Sequence, residues 1–211
     1  MSREQRDFDQ EAATWDENPA RARLASDVAA AIRAEVTLTP DMDVLDFGCG
    51  TGLVTFQLQP HVRFVTGVDS SQGMLDVVHA KVARMGVTNV RTRHLHLEKG
   101  ESLEGRFHLV VSSMTLHHVK EIRPLLDQFR QVLVPAGQLC LADLDPDDGQ
   151  FHANKDGVFH FGFDRAALRR TCEEAGFIDV HDRTAAEVTK PTSAGPTRTF
   201  SVFLIVGRKG P

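Results

Sequence analysis

The residues best suited to chemistry stand in one short run. Positions 42–52 read Met-Asp-Val-Leu-Asp-Phe-Gly-Cys-Gly-Thr-Gly, an apolar strand that turns on glycines, and Val65-Thr-Gly-Val-Asp69 supplies a second strand ending in a carboxylate. Glycines at 48 and 50 let the backbone approach a ligand with no Cβ in the way. A helix opening behind such a turn aims free N–H groups at an anionic or polar group. Asp69 can accept both hydroxyls of a ribose, which a neutral side chain matches poorly. Together these features describe a nucleotide-binding βαβ unit. In the dinucleotide fingerprint G-x-G-x-x-G, Gly48 and Gly50 fit, but Leu53 stands where the third glycine belongs and a glycine falls at 52 instead. That speaks against NAD, which stays open as the lesser alternative, and no Gly-Lys-Ser/Thr follows to make a Walker loop. Asp143, Asp145, His117 and His152 are of types that hold divalent metals. No i,i+4 histidine pair or equivalent spacing supports such a site, and no metal is expected.

These residues need a scaffold, and the apolar pattern predicts one. Residues 2–17 are polar, with Phe8, Ala12 and Trp15 spaced for one helical face, and Pro19 suits the start of a helix over roughly 20–36. The alternation that follows is strand 43–47, helix 51–59, strand 63–68, helix 71–84 ending at Gly86, strand 89–94, a polar loop, and strand 107–112. Helix 120–133, a turn at Pro135-Ala-Gly137, strand 138–143, a loop over 144–163 and helix 164–175 closing on Gly176 come next. Strands near 177–184 and 199–206 finish the chain around a Thr/Pro/Gly-rich loop at 189–197. Short apolar strands alternating with helices imply an α/β fold, a mostly parallel seven-stranded sheet with helices on both faces. A terminal hairpin would make the last strand antiparallel.

Composition bounds the function classes. The 211 residues fit one domain over 1–211, with 1–38 as a helical cap and 144–163 as an insertion at the ligand end. A net charge of −5 with no basic run speaks against a nucleic-acid partner. Three scattered cysteines, 49, 140 and 172, suggest reduced thiols in a cytoplasmic protein. The charged start Met-Ser-Arg-Glu-Gln-Arg-Asp reads as no signal peptide, and no apolar stretch reaches membrane-spanning length.

The chain resembles the Rossmann-like S-adenosylmethionine-dependent methyltransferases. Val44-Leu-Asp-Phe-Gly-Cys-Gly-Thr-Gly52 is similar to their first motif and Asp69 to their ribose-binding acid. Phe107 to Ser113 is similar to their fourth strand, Leu133-Val-Pro-Ala-Gly-Gln-Leu139 to the turn into their fifth, and Ala175-Gly-Phe177 to the end of their last helix. The likeness runs from about residue 8 to 206, and within the family it looks most like the small-molecule branch that includes the ubiquinone and menaquinone biosynthesis enzymes. It implies a three-layer sandwich, S-adenosyl-L-methionine as cofactor and S-adenosyl-L-homocysteine as product. It places Gly48, Cys49 and Gly50 at the methionine part, Asp69 at the ribose, and Ser70 and Met74 beside ribose and adenine. His96 and Leu97 fall at the adenine edge, where relatives usually carry Asp in place of His96. Ser112 and Ser113 face the sulfonium.

On the acceptor side, Met114-Thr-Leu-His-His-Val119 follows the fourth strand, where a histidine can deprotonate a hydroxyl, amine or thiol near neutral pH. His117 is the candidate base and His118 a candidate acceptor contact; the alternative is a histidine packed under the sheet edge. The insertion carries Phe151, Phe159, Phe161 and Phe163 with His152 and His160, which read as an aromatic lid or pocket, or else as anchors to the core. Trp15 and Arg23 could cover the cleft, for stacking and for a carboxylate, or serve as core and solvated surface. The fourth strand ends Ser-Ser-Met-Thr and lacks the Asn/Asp-Pro-Pro-aromatic motif shared by amine methyltransferases of nucleic-acid bases or glutamine. A small-molecule acceptor is expected. Rival readings are a non-catalytic cofactor-binding scaffold and, less favoured, an NAD-dependent reductase.

Overall fold

Seven strands form one sheet, in the spatial order 90–94, 64–69, 43–47, 107–113, 133–144, 197–209 and 177–191. The computed structural model describes residues 7–192 and 195–210; the charged start of the chain and positions 193–194 of the 189–197 loop lie outside them. Strands β1 (Asp43–Phe47), β2 (Phe64–Asp69), β3 (Val90–His94), β4 (Phe107–Ser113) and β5 (Leu133–Leu144) run parallel. β7 (Thr197–Lys209) is antiparallel to both of its neighbours, β5 and β6 (Phe177–Pro191). The parallel α/β sheet with an antiparallel last strand is as the sequence predicts.

Period-two alternation divides the sheet between two cores. Val44, Val65, Leu109, Val111 and Leu204 pack on one face with Val28 and Ile32 of helix α2 (Pro19–Glu35), which follows the short α1 (Phe8–Glu11). Leu45, Val110, Leu139, Leu141 and Phe203 pack on the other with Leu126 and Phe129 of α5 (Ile122–Val132) and Leu168 of α6 (Arg165–Glu174). Caps set the boundaries. Asn18 accepts from the Ala20 N–H ahead of Pro19, and Ser71 caps α4 (Gln72–Met85), which ends on left-handed Gly86. Asp164 caps α6. Among the described residues no helix is long and apolar enough to cross a membrane.

Three elements differ from expectation. The helix expected over 51–59 is only α3, Thr55–Leu58, followed by a 3-10 turn at Gln59–His61. Gly50 and Gly52 have φ of 53° and 83°, which a right-handed helix cannot contain, and Pro60 lacks the N–H that would extend it. β5 starts at Leu133 instead of 138, running through the Pro135–Gly137 turn as a sheet irregularity with Ala136 at φ 59°. β6 and β7 reach well beyond the apolar residues, because their mutual ladder, not side-chain burial, holds the polar stretch near Pro191 and Thr197.

Candidate functional site

The glycine turn opens at the carboxyl end of β1, between the ends of β2 and β4. Gly48 and Cys49 donate their N–H groups to the Val68 carbonyl at 2.8 and 3.1 Å, which folds the turn against β2. The Thr115 side chain fills the space beside Gly48, where a Cβ would come within 2.2 Å of it, and its Oγ1 donates to the Gly48 carbonyl at 3.2 Å. A Cβ on Gly50 would meet nothing within 4 Å. The turn is therefore tight on the β4 side and open at Gly50.

Asp69 is aimed by this turn. Its two carboxylate oxygens accept from the Gly50 N–H at 2.8 Å and the Ser71 N–H at 2.9 Å. Burial pushes its acid upward, against the pull of those backbone bonds. A carboxylate has roughly four lone-pair sites, so acceptor capacity remains on both oxygens. Ser70 is exposed and gives its carbonyl to the His94 ring at 2.9 Å; Met74 is buried under the start of α4. His96 stands edge-on to His94 at 4.6 Å, donating its N–H to Glu101, and Leu97 opens the following 3-10 turn. The open turn, the oriented carboxylate and the His94–His96 edge follow one another past the ends of β1, β2 and β3. Ser112 is buried on the sheet face of Phe47 and Leu141, its hydroxyl without a hydrogen-bond partner among the described residues. Cys49 is buried, which pushes its thiol up.

The histidine segment follows directly. Met114 turns the chain with φ 55°, Thr115 abuts Gly48, and Leu116–His118 form a 3-10 turn. His117 is 2% exposed and its Nδ1 lies 2.8 Å from Asp143 Oδ1; its N–H reaches Oδ2 at 3.2 Å. Burial opposes ionisation of Asp143, but His117 and the N–H donors of His117 and Leu144 outweigh it and hold the acid below its usual value. An ionised carboxylate only accepts, so the Nδ1 that faces it carries a proton. The insertion is pinned over this pair. Phe159 N–H donates to the His117 carbonyl at 2.8 Å, and the His118 ring meets the Gly157 carbonyl at 2.8 Å. The His152 ring stands 4.7 Å from that of His117. His160 points elsewhere, its Nε2 on the Val119 carbonyl and its ring on Phe163, where it lines a cavity of about 190 Å³ with Ile122 and Leu168.

The N-terminal segment lies across both halves. Asp9 accepts from the Ser71 hydroxyl at 2.6 Å and the Gly73 N–H at 2.8 Å; Asp16 accepts from the Thr51 hydroxyl at 2.6 Å and pairs with Lys81 at 2.5 Å. Phe8 stands edge-on to Trp15 and to His118. Arg21, not Arg23, stacks on Trp15, at 3.6 Å; the Arg23 side chain is 85% exposed. Asp145 is taken by Arg165, and among the described residues no three His, Cys, Asp or Glu side chains cluster as a metal site. Sequence reasoning took Asp143 only as a metal candidate and missed Thr115, Phe8 and Asp16. A carboxylate inside the apolar run Leu139–Leu144 is the signal that could have singled out Asp143, since such a group needs a partner.

Comparison with known proteins agrees with this geometry. A family model described as a methyltransferase domain matches residues 44–137. An uncharacterized methyltransferase of Schizosaccharomyces pombe is 34% identical over 135 residues, 57% of this chain and 48% of that protein. A ubiquinone biosynthesis O-methyltransferase of Coxiella burnetii is 28% identical over 116 residues, 54% of this chain and 48% of its own. The matched segments thus span about half the length of these curated relatives. A methyltransferase solved with the Haloferax volcanii Trm112 activator has a TM-score of 0.79 at 19% identity, covering 98% of this chain and 99% of that one. DhpI, solved with S-adenosylhomocysteine, has 0.72 at 21%, covering 97% and 94%. Residues 44–137, which carry the glycine turn, match a methyltransferase domain, and the whole chain shares the Rossmann-like methyltransferase fold of these solved structures.

Proposed function

We propose that this chain transfers a methyl group from S-adenosylmethionine to a nucleophile on a small molecule, with His117 as the base. The observation that carries this reading is the buried His117–Asp143 pair, two residues from Thr115, which itself fills the floor of the glycine turn. Gly48, Cys49 and Gly50 line the methionine end, Asp69 holds the ribose hydroxyls, Ser70 and Met74 border ribose and adenine, and His96 and the Leu97 backbone take the adenine edge. Ser112 supports the turn from beneath. When bound, S-adenosylmethionine supplies an electrophilic methyl on a sulfonium centre. The protein's share is alignment and proton removal. His117 takes the acceptor's proton at Nε2, and Asp143 stabilises the imidazolium through Nδ1, the role an orienting carboxylate plays for a catalytic histidine. Trp15, His118 and His152 border the acceptor; His160 serves it only through the insertion's backbone.

A small acceptor is supported by the acidic net charge and by the name of the Coxiella relative. Three buried, unpaired cysteines suit a reducing, cytoplasmic compartment, and the two continuous cores suit one domain with 144–163 as its acceptor-side insertion. Calorimetric titration of the purified chain with S-adenosylhomocysteine should show binding, weakened by about 1–3 kcal/mol in Asp69→Asn. No binding to the wild-type chain would overturn the reading. His117→Gln should keep cofactor affinity while turnover drops about 10²- to 10⁴-fold; binding without turnover on any acceptor would instead favour a scaffold.

A further inference from the structure

The short helix α1 rests on the start of α4 through backbone as well as side chain. A Cβ placed on Gly73 would stand 3.0 Å from the Asp9 Cα and 3.0 Å from its carbonyl oxygen, and would press α1 outward by a few tenths of an ångström. Gly73 lies in the first turn of α4 and has no left-handed backbone angle. Its missing side chain therefore serves this contact, not a special conformation, in a helix that otherwise disfavours glycine. Asp9 completes the seat with a single oxygen. Its Oδ1 accepts from the Ser71 hydroxyl at 2.6 Å and from the Gly73 N–H at 2.8 Å. Those two bonds, with His94 and His96 nearby, hold its acid below the usual value.

Ser71 is where this contact meets the cofactor site. The residue is buried; its N–H donates to Asp69 Oδ1 at 2.9 Å, and its hydroxyl accepts from the Met74 N–H at 3.1 Å. A hydroxyl has one proton, and Ser71 gives it to Asp9. Asp9, Ser71 and Asp69 thus form a chain in which the first carboxylate holds the serine side chain and the serine N–H holds the second carboxylate. The other oxygen of Asp69 is fixed by the Gly50 N–H of the glycine turn at 2.8 Å. Asp69 is therefore gripped from two sides, and one of the grips depends on α1. One position before Asp9, Phe8 stands edge-on to His118 at 5.1 Å, so α1 touches the histidine segment as well.

We propose that Asp9 is a positioning residue of the cofactor site: by holding Ser71 it sets the angle at which Asp69 meets the hydroxyls of the ribose. This rests on the proposed placement of the ribose at Asp69. Asp9 touches no reacting group; it acts through Ser71, whose N–H orients Asp69 Oδ1. The test is calorimetric titration of the chain with S-adenosylhomocysteine and with its 2′-deoxy analogue. The wild type should prefer the ribose form by about tenfold or more, the scale of one hydrogen bond to a charged group. Asp9→Ala should cut that preference by about three- to fivefold, the scale of a partly exposed charged contact. The loss should fall on S-adenosylhomocysteine and leave the deoxy analogue near its wild-type affinity. Asp9→Asn should restore the preference, because one amide oxygen can take both bonds. Gly73→Ala favours α4 yet crowds α1, and should lower the preference in the same direction with the Asp9 carboxylate intact. A merely structural role would weaken both ligands alike. Equal weakening, an unchanged preference in Asp9→Ala or Gly73→Ala, an Asp9→Asn variant no better than Asp9→Ala, or a wild type indifferent to the 2′-hydroxyl overturns the proposal. In each of those cases S-adenosylhomocysteine still binds the wild type and the cofactor reading stands; a wild type that binds neither ligand sinks both.

Discussion

Asp46 and Asp143 are both fully buried carboxyls on the sheet, and their neighbours drive them in opposite directions. Asp46 in β1 has burial against it and Asp69 nearby, with the Thr55 hydroxyl at 2.5 Å and the Thr55 N–H in its favour, and its acid is pushed up to about 6. Asp143 has His117 and two N–H donors and is pulled down. For Asp46 the folded state keeps its proton up to about pH 6 while the unfolded chain releases it near 4. The folded form therefore binds more protons in that window, and stability falls as pH rises through it, by about 3 kcal/mol for a shift of roughly two units. Asp46→Asn removes this dependence and can still accept from Thr55. Denaturant midpoints should show the variant gaining on wild type between pH 4 and 7; a constant difference would show that Asp46 is ionised when folded. The glycine spacing and Asp69 were legible in the sequence because their geometry is local, a turn and a strand end. The His117–Asp143 pair was not, because its members lie on different strand ends that meet only when β4 and β5 pair.

At the scale of elements, the N-terminal segment is held by two acids placed on opposite sides of the glycine turn. Asp9 binds the start of α4, and Asp16 binds Thr51 and Lys81. The segment has few buried apolar contacts of its own, so these bonds set how tightly it stays closed. Asp16→Ala should loosen it by about 1 kcal/mol, the scale of a partly exposed pair. Hydrogen exchange should quicken at residues 12–17 with the sheet unchanged, and S-adenosylhomocysteine should dissociate several-fold faster. Unaltered exchange there would place the closure in Phe8 and Trp15 instead. The sequence placed most helices within a residue or two of their observed ends because caps such as Asn18, Ser71 and Asp164 act within one turn. It overextended the helix after the glycine turn, where two left-handed glycines outweigh the apolar pattern of 53–58.

Over the whole molecule, β7 joins the parallel β1–β5 block to β6, pairing with β5 through Leu144↔Val202 and with β6 as far as Pro191↔Thr197. Phe203 and Leu204 face opposite cores, so this strand ties both together. Leu204→Ala should cost about 2–5 kcal/mol. Chemical unfolding should show that loss in one cooperative transition, whereas an early separate transition would mean that β6 and β7 unfold independently. Read alone, the chain specifies an α/β sheet, a nucleotide turn and its acidic partner, because alternation, capping and glycine spacing are properties of neighbouring residues. Folding settles what those patterns cannot express: which carboxylate faces His117, where the insertion lies, and that Lys190, far along the chain, sits over the Phe151 ring. Those contacts join residues separated by more than twenty positions, and only closure of the sheet brings them within bonding distance.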